Sequence, residues 1–194
     1  MMESVLIAAV SAVQAYLLGS IDTGILVSKF LYHDDVRKYG SGAAGMTNML
    51  RTFGKKAAAL TAFGDVLKGV LAVCIGRWLF TQMPESTTLS PYLAVYLAAI
   101  FAIIGHLKPL YFGFKGGKAV ATSIGVLIPL AFWQLLIAVC ICLFLIWRSG
   151  FVSLGSLALV TAMPILLALS GKFGLLPLSL IILALVFWSH RENI

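Results

Sequence analysis

Long apolar runs are the feature that most restricts the fold of this chain. They cover about residues 4–30, 56–80, 91–112, 119–130, 132–147, 151–170 and 173–189, and 61% of the chain is hydrophobic while 11% is charged. A helix needs roughly 20 apolar residues to cross a bilayer, and backbone groups in lipid must bond within the protein. The sequence therefore predicts an all-α integral membrane protein of about seven transmembrane helices, with residues 1–194 forming a single domain.

The number of spans depends on one proline. Pro129 divides the run over 119–147 into two, but membrane helices tolerate proline, and an unbroken helix would give six spans. With seven spans and the N-terminus outside, most Lys and Arg lie on one face, and only Arg77 and Lys172 lie opposite. Because positive charge marks the cytoplasmic side, the charges favour an N-terminus outside and a cytoplasmic C-terminus.

The net charge of +7 fits this topology and an attraction to anionic lipid headgroups. Nucleic acid is not an expected partner, because no basic helix with interleaved aromatic residues lies outside the apolar runs.

A first polar segment, YGSGAAGMTNMLRTFGKK, covers residues 39–56. Glycines allow backbone N–H groups to converge on an anion, and hydroxyls and Arg add further donors. A guanidinium grips a phosphate through two parallel hydrogen bonds. The candidate anion-binding residues here are Ser41, Gly42, Thr47, Asn48 and Arg51. An ordinary turn between helices, flanked by cations, remains an alternative.

A second polar segment, GHLKPLYFGFKGGKAVATS, places Lys115, Gly116, Gly117 and Lys118 before an apolar helix that begins near Ala119. Free N–H groups and the positive end of a helix dipole favour phosphate there. The spacing differs from the nucleotide-binding GxxxxGK[ST] loop, so nucleotide hydrolysis is not expected. His106, at the end of a span, is a further candidate binding residue. A basic loop that merely obeys topology is the alternative.

A third polar group combines VSLGS, residues 152–156, with HRENI at the C-terminus. Ser153 and Ser156 are three residues apart and therefore share a helix face. Capping of the helix N-terminus is the alternative role for these serines. His190 and Asn193 are suited to proton transfer or phosphate binding, unless the tail is simply solvated.

Charged residues also lie within the apolar runs. Asp65 and Lys68 share a face near the middle of the second run, which predicts a mutual ion pair or contact with the first segment. Asp22 is expected to face the protein interior. The adjacent His33, Asp34 and Asp35 lack a further ligand set, so neither a metal nor a cofactor is expected.

In this order the motifs resemble those of the bacterial acyl-phosphate-dependent glycerol-3-phosphate acyltransferase family. The resemblance covers nearly the whole chain and rests on GSIDTG, GSGAAGMTNMLRTFGKKAA, GDVLKG, GHLKPLYFGFKGGKAVATSIGVL, SLGS and HRENI. It implies seven spans, a cytoplasmic active site, and acyl transfer from acyl phosphate to the 1-hydroxyl of glycerol 3-phosphate. The implied products are lysophosphatidic acid and phosphate.

The resemblance also implies roles for individual residues. Those implied or expected to be catalytic are Ser41, Arg51, Lys118, Ser153, His190 and Asn193. Those expected to bind substrate or phosphate are Gly42, Thr47, Asn48, His106, Lys115, Gly116, Gly117 and Ser156, with Asp65, Lys68 and Glu192 structural. Asp22, Ala43, Met46 and Ala119 depart from the family's usual residues. The expected partners are acyl phosphate, glycerol 3-phosphate and membrane lipids, and the oligomeric state is left open.

The chemistry favours direct attack of the glycerol hydroxyl on acyl phosphate, since phosphate is already a good leaving group. A covalent intermediate on Ser41 or Ser153 is the alternative, and either His190 or a substrate phosphate oxygen takes the proton. Two other functions remain open. The buried charges would suit a transporter or flippase of a phosphorylated small molecule or lipid, and a non-catalytic membrane subunit is the third hypothesis.

Overall fold

The structure, a computed structural model, describes residues 2–82 and 92–193. Eight α-helices lie within them: α1 (Met2–Gly19), α2 (Thr23–Tyr32), α3 (Met46–Phe53), α4 (Lys55–Thr81), α5 (Tyr92–Leu107), α6 (Val120–Ser149), α7 (Val152–Leu169) and α8 (Leu176–Ser189). Short 3-10 turns occupy Val36–Lys38, Leu110–Phe112, Phe173–Leu175 and Arg191–Asn193. The all-helical prediction is confirmed.

Within residues 2–82 and 92–193, five helical segments are long and apolar enough to cross a membrane. They are Ser4–Tyr32, Lys55–Thr81, Tyr92–Phe112, Val120–Ser149 and Val152–Leu169, and the shorter apolar segment Phe173–Ser189 follows them. Their length and hydropathy identify a multi-pass membrane protein.

The run predicted as the first span is divided into two helices. α1 ends at Gly19, and Asp22 then caps α2 by accepting a hydrogen bond from the Ile25 N–H at 3.2 Å. Asp22 is fully buried, as expected for a carboxylate within an apolar run. Its capping bond explains the break, because an N-cap residue leaves the helical conformation to satisfy a free N–H group.

The predicted division of residues 119–147 takes the form of a kink. α6 is helical except at Ala131, where φ is −150° and ψ is 52°, two residues after Pro129. Proline lacks an N–H and its ring crowds the preceding turn, so Pro129 weakens the helix in this region, although the non-helical residue follows the proline rather than preceding it.

The chain forms two compact units, Met1–Val126 and Leu127–Ile194. In the first, small residues allow close helix approach: a Cβ on Gly19 would lie 2.9 Å from the Ala102 Cα, and one on Gly105 would lie 2.9 Å from the Ser20 nitrogen. In the second, α7 packs against α8, and Gly155 lies against the backbone and side chains of the preceding helix.

Polar side chains of α1 hold the chain that follows α5. The Tyr16 hydroxyl donates to the Lys108 carbonyl at 3.0 Å, and the Ser20 Oγ accepts from the Leu110 N–H at 3.2 Å. These bonds position the start of the segment that carries the KGGK sequence.

Candidate active site

Asn48 organises the segment between α2 and α4, which we call the first loop (residues 39–54). Its buried Nδ2 donates to the carbonyls of Tyr39 at 2.9 Å, Ala43 at 3.0 Å and Val36 at 3.2 Å. Its Oδ1 accepts from the Ser41 N–H at 3.3 Å. The amide that the sequence assigned to phosphate binding is therefore engaged by the loop's own backbone, and it determines the loop's shape.

The other candidates of the first loop surround this amide. Ser41 and Gly42 are exposed, and Gly42 has a φ of +67°, a conformation that favours glycine. Thr47 lies half-buried in the first turn of α3, and Arg51 is exposed in its last turn. The hydroxyl and guanidinium groups are thus carried by a loop whose backbone is fixed by hydrogen bonds to the Asn48 side chain.

Arg37, two residues before the first loop, binds the second loop (residues 108–119). Its Nη1 donates to the carbonyls of Phe112 at 2.8 Å and Lys115 at 3.3 Å, while its Nε and Nη2 bind Asp35, with a shortest contact of 2.7 Å. The Lys29 ammonium also lies 5.8 Å from the centre of the Phe112 ring. Since Asn48 of the first loop binds the carbonyl of Val36, the residue next to Arg37, the GSG…TN…R and KGGK segments are neighbours within one unit.

The glycine pair of the second loop lies directly against His106. The Gly117 N–H donates to the His106 carbonyl at 3.2 Å. A Cβ on Gly117 would lie 2.9 Å from Cε1 of the His106 ring and closer still to Nε2. A Cβ on Gly116 would lie 2.7 Å from the Pro109 Cδ. Any side chain at either position would displace the loop, whereas Lys115 is exposed and Lys118 is half-buried beside them.

The intramembrane charges form a buried cluster beneath this loop. Lys68 Nζ lies 2.9 Å from Asp65 Oδ1, so the predicted ion pair is present. The same ammonium donates to the Ile21 carbonyl at 2.9 Å and lies 2.7 Å from His106 Nδ1. His106 and both charged residues are at most 5% exposed. A buried ion pair needs such additional hydrogen bonds, because its attraction must offset the loss of hydration.

The carboxylates after α2 are occupied by cations and N–H groups. Tyr39, Lys38 and the Asp35 N–H bind Asp34 and lower its pKa to about 2. Arg37 lowers the pKa of Asp35 chiefly through its hydrogen bonds. Among the described residues, no three His, Cys, Asp or Glu side chains are grouped to hold a metal ion.

The candidates of the second unit lie at the start of α7 and after α8. Ser153 is half-buried and Ser156 buried, and Phe151 rather than a serine occupies the N-cap position. His190 is 3% exposed, and its Nδ1 lies 2.8 Å from the Val186 carbonyl. Neither the helix-cap alternative nor the solvated-tail alternative describes these residues.

The remaining C-terminal candidates differ from His190. Glu192 is exposed, with an oxygen 3.9 Å from Arg191. The prediction for the Asn193 side chain falls outside what the structure describes.

The sequence did not identify Arg37 as a site residue; it counted Arg37 only among the cations that lie on one face of the membrane. The short spacing of Asp35 and Arg37 is the one available signal, since it allows the carboxylate to orient the guanidinium. The carbonyls that Arg37 binds lie 75 and 78 residues away, so only the fold identifies them.

Comparisons with known proteins agree with this arrangement of motifs. The profile of the family described as "Glycerol-3-phosphate acyltransferase" matches residues 9–194. A glycerol-3-phosphate acyltransferase of Lawsonia intracellularis is 52% identical over 182 residues, covering 94% of this chain and 87% of the relative. One of Nitratidesulfovibrio vulgaris is 48% identical over 93% of this chain, which spans about half (52%) of that relative's length.

Solved structures of PlsY, an integral membrane glycerol 3-phosphate acyltransferase, have the same fold. The glycerol 3-phosphate form has a TM-score of 0.85 and 33% identity, covering 96% of this chain and 89% of PlsY. The lysophosphatidic acid form has a TM-score of 0.82 and 32% identity with the same coverage. By its sequence profile, its relatives and its fold, this chain belongs to the glycerol-3-phosphate acyltransferase family.

Proposed function

We propose that this protein transfers a fatty acyl group from acyl phosphate to the 1-hydroxyl of glycerol 3-phosphate, releasing lysophosphatidic acid and inorganic phosphate. Family membership supports the acyltransferase activity, and the relatives' names support the acceptor. The observation that carries the proposal is the junction at Val36 and Arg37: Val36 accepts from Asn48 of the first loop and Arg37 donates to the second, so two glycine- and cation-bearing loops are joined in one unit. Two adjacent anion-binding loops suit a reaction in which both substrates carry phosphate.

The proposed protein has seven spans, with its N-terminus outside and its C-terminus in the cytoplasm of a bacterial cell. Its active site opens at the cytoplasmic face of the inner membrane, where both water-soluble substrate and lipid product have access. The charge distribution supports this orientation. In this proposal residues 1–194 act as one acyltransferase domain.

Arg51, Lys115 and Lys118, together with backbone N–H groups at Gly42, Gly116 and Gly117, hold the phosphate groups. Ser41, Thr47 and Ser156 contribute hydroxyl donors, and Ser153 and Asn193 orient the acceptor. Asn48 acts on phosphate indirectly, because its amide is engaged in shaping the first loop. The apolar helices hold the acyl chain, for which each buried methylene contributes roughly 0.8 kcal/mol.

In the reaction, the glycerol O1 attacks the acyl carbonyl carbon, and the bond between that carbon and the phosphate oxygen breaks. Arg51 and Lys118 stabilise the developing oxyanion and the leaving phosphate. His190 takes the hydroxyl proton on Nε2. The contact of its Nδ1 with the Val186 carbonyl supports this role, because a carbonyl only accepts and the lone pair is thereby left on Nε2.

The purified, detergent-solubilised protein tests the proposal directly. Incubation with glycerol 3-phosphate and palmitoyl phosphate should release inorganic phosphate and form lysophosphatidic acid in equal amounts. Palmitoyl-CoA in place of the acyl phosphate should give no product. A transporter or flippase would release no phosphate, and transfer from the thioester alone would refute the proposed donor.

A further inference from the structure

The Lys68 ammonium contacts three buried groups, two through hydrogen bonds and the Asp65 carboxylate as an ion pair. Its Nζ lies 2.9 Å from the Ile21 carbonyl, 2.9 Å from Asp65 Oδ1 and 2.7 Å from His106 Nδ1. An ammonium group has three N–H donors and no lone pair. The adjacent Asp65 carboxylate balances a positive charge on Nζ, so the ion pair favours the ammonium form over the neutral amine, whose lone pair could instead accept a hydrogen from His106.

This arrangement determines the tautomer of His106. Because the ammonium can only donate, the Nδ1 atom of His106 must accept and carries no hydrogen. A neutral imidazole then holds its hydrogen on Nε2. That edge of the ring faces Gly117, since a Cβ there would lie 2.9 Å from Cε1 and closer still to Nε2. The ring is also tied to the loop by the bond of 3.2 Å from the Gly117 N–H to the His106 carbonyl.

We propose that Lys68 is a positioning residue for the phosphate-binding loop: by donating to Nδ1 of His106, it directs the Nε2–H of that ring toward the loop at Gly117. His106 then supplies a donor to the phosphate group held there, beside the backbone N–H groups of the glycine pair. The absence of a side chain at Gly117 is what allows the ring edge to reach this position. The inference rests on the proposed function in that it takes the ligand of this loop to be a substrate phosphate.

If Lys68 served only as the ion-pair partner of Asp65, it would not determine the tautomer of His106. The tautomer is therefore the first test. The full-length protein in detergent micelles, labelled with ¹⁵N-histidine, reports which ring nitrogen carries the hydrogen. Single replacements of His33 and His190 assign the three histidine signals. We expect His106 in its Nε2–H form without substrate. Observation of the Nδ1–H form would overturn the proposal whether or not the protein is an acyltransferase.

The second test removes the ammonium without leaving an unpaired charge. Lys68→Met alone strands Asp65 in the interior, so the double variant Asp65→Leu/Lys68→Met is used, because it leaves neither the Asp65 charge nor a side-chain donor beside His106 Nδ1. The His106 signals of this variant should show a mixture of the two tautomers. Retention of the pure Nε2–H form would show that Lys68 does not determine it and would overturn the proposal.

The third test uses the two amide side chains that imitate the two ring nitrogens. The amide nitrogen of glutamine is placed near Nε2, and that of asparagine near Nδ1. His106→Gln therefore retains a hydrogen bond to the charged phosphate, whereas His106→Asn loses it. The KM of His106→Gln for a phosphate substrate should be on the order of tenfold lower than that of His106→Asn, with a smaller difference in kcat. Equal KM values in the two variants would overturn the proposal. If the wild-type protein released no phosphate, the proposed function would fail, while the tautomer would still be decided by the spectra.

Discussion

Replacement of Gly117 with alanine should weaken the binding of a phosphate substrate through a specific collision. The added Cβ would lie 2.9 Å from Cε1 of His106, against an ordinary contact of 3.4 Å or more. The ring cannot easily retreat, because it is 2% exposed and Lys68 lies 2.7 Å from its Nδ1. Either the loop or the ring must therefore shift by at least several tenths of an ångström.

The cost of such overpacking is about 1–3 kcal/mol. In the free enzyme the loop relieves this strain by moving, whereas substrate binding requires the original loop position. The strain then appears as weaker binding, and since each 1.4 kcal/mol is a factor of ten, KM should rise roughly 5- to 140-fold. The rise should exceed any fall in kcat, because the reacting groups themselves are unchanged.

The measurement is inorganic phosphate release at varied concentrations of each substrate in turn. Gly45→Ala is the matched control: a Cβ at Gly45 meets nothing within 4 Å, and its φ of −92° suits alanine. That variant should change KM less than about threefold, as expected for a small substitution that collides with no neighbouring atom. An unchanged KM for both substrates in Gly117→Ala would refute the reasoning that places phosphate at this loop.

Four further outcomes are expected. Arg51→Ala should lower kcat/KM by on the order of 10²- to 10³-fold in the phosphate-release assay while thermal unfolding is unchanged, as for loss of a donor to developing charge; a near-normal rate would exclude Arg51 from the phosphate site. Asn48→Ala should lower the free energy of unfolding by roughly 1–3 kcal/mol, because several backbone groups lose their partner, and an unchanged melting temperature would show that the amide does not hold the loop. Arg37→Lys should lower the melting temperature and raise KM several-fold, since an ammonium cannot bind Asp35 and two carbonyls with the same fork; kinetics and melting equal to wild type would contradict the proposed link. The pKa of Asp34 is lowered from 3.8 to about 2, so its stabilising contribution is complete above pH 3.8 and is lost as the pH falls toward 2. The difference in melting temperature between wild type and Asp34→Asn should therefore shrink over that interval. A difference that does not depend on pH would contradict this role of Asp34.

The apolar runs by themselves determined the class of fold. Burial of backbone groups in lipid permits few structures, so a membrane-spanning run predicts a helix without knowledge of its neighbours. The same reasoning located the kink after Pro129, because the effect of proline on a helix is local. It did not predict the break before α2, since Asp22 caps that helix only once the chain has turned at Ser20.

The residue types of the two loops also identified candidate anion sites, because glycine, lysine and arginine have the required chemistry wherever they lie. Their relation to one another was decided by the tertiary structure. Arg37 reaches carbonyls 75 and 78 residues away, and Lys68 contacts a histidine 38 residues away. Hydrogen bonds depend on distances of about 3 Å and on direction, which the order of residues does not specify across such separations. The sequence thus determined which groups are present, whereas the folded structure determined that Asn48 points into its own loop and that His106 faces Gly117.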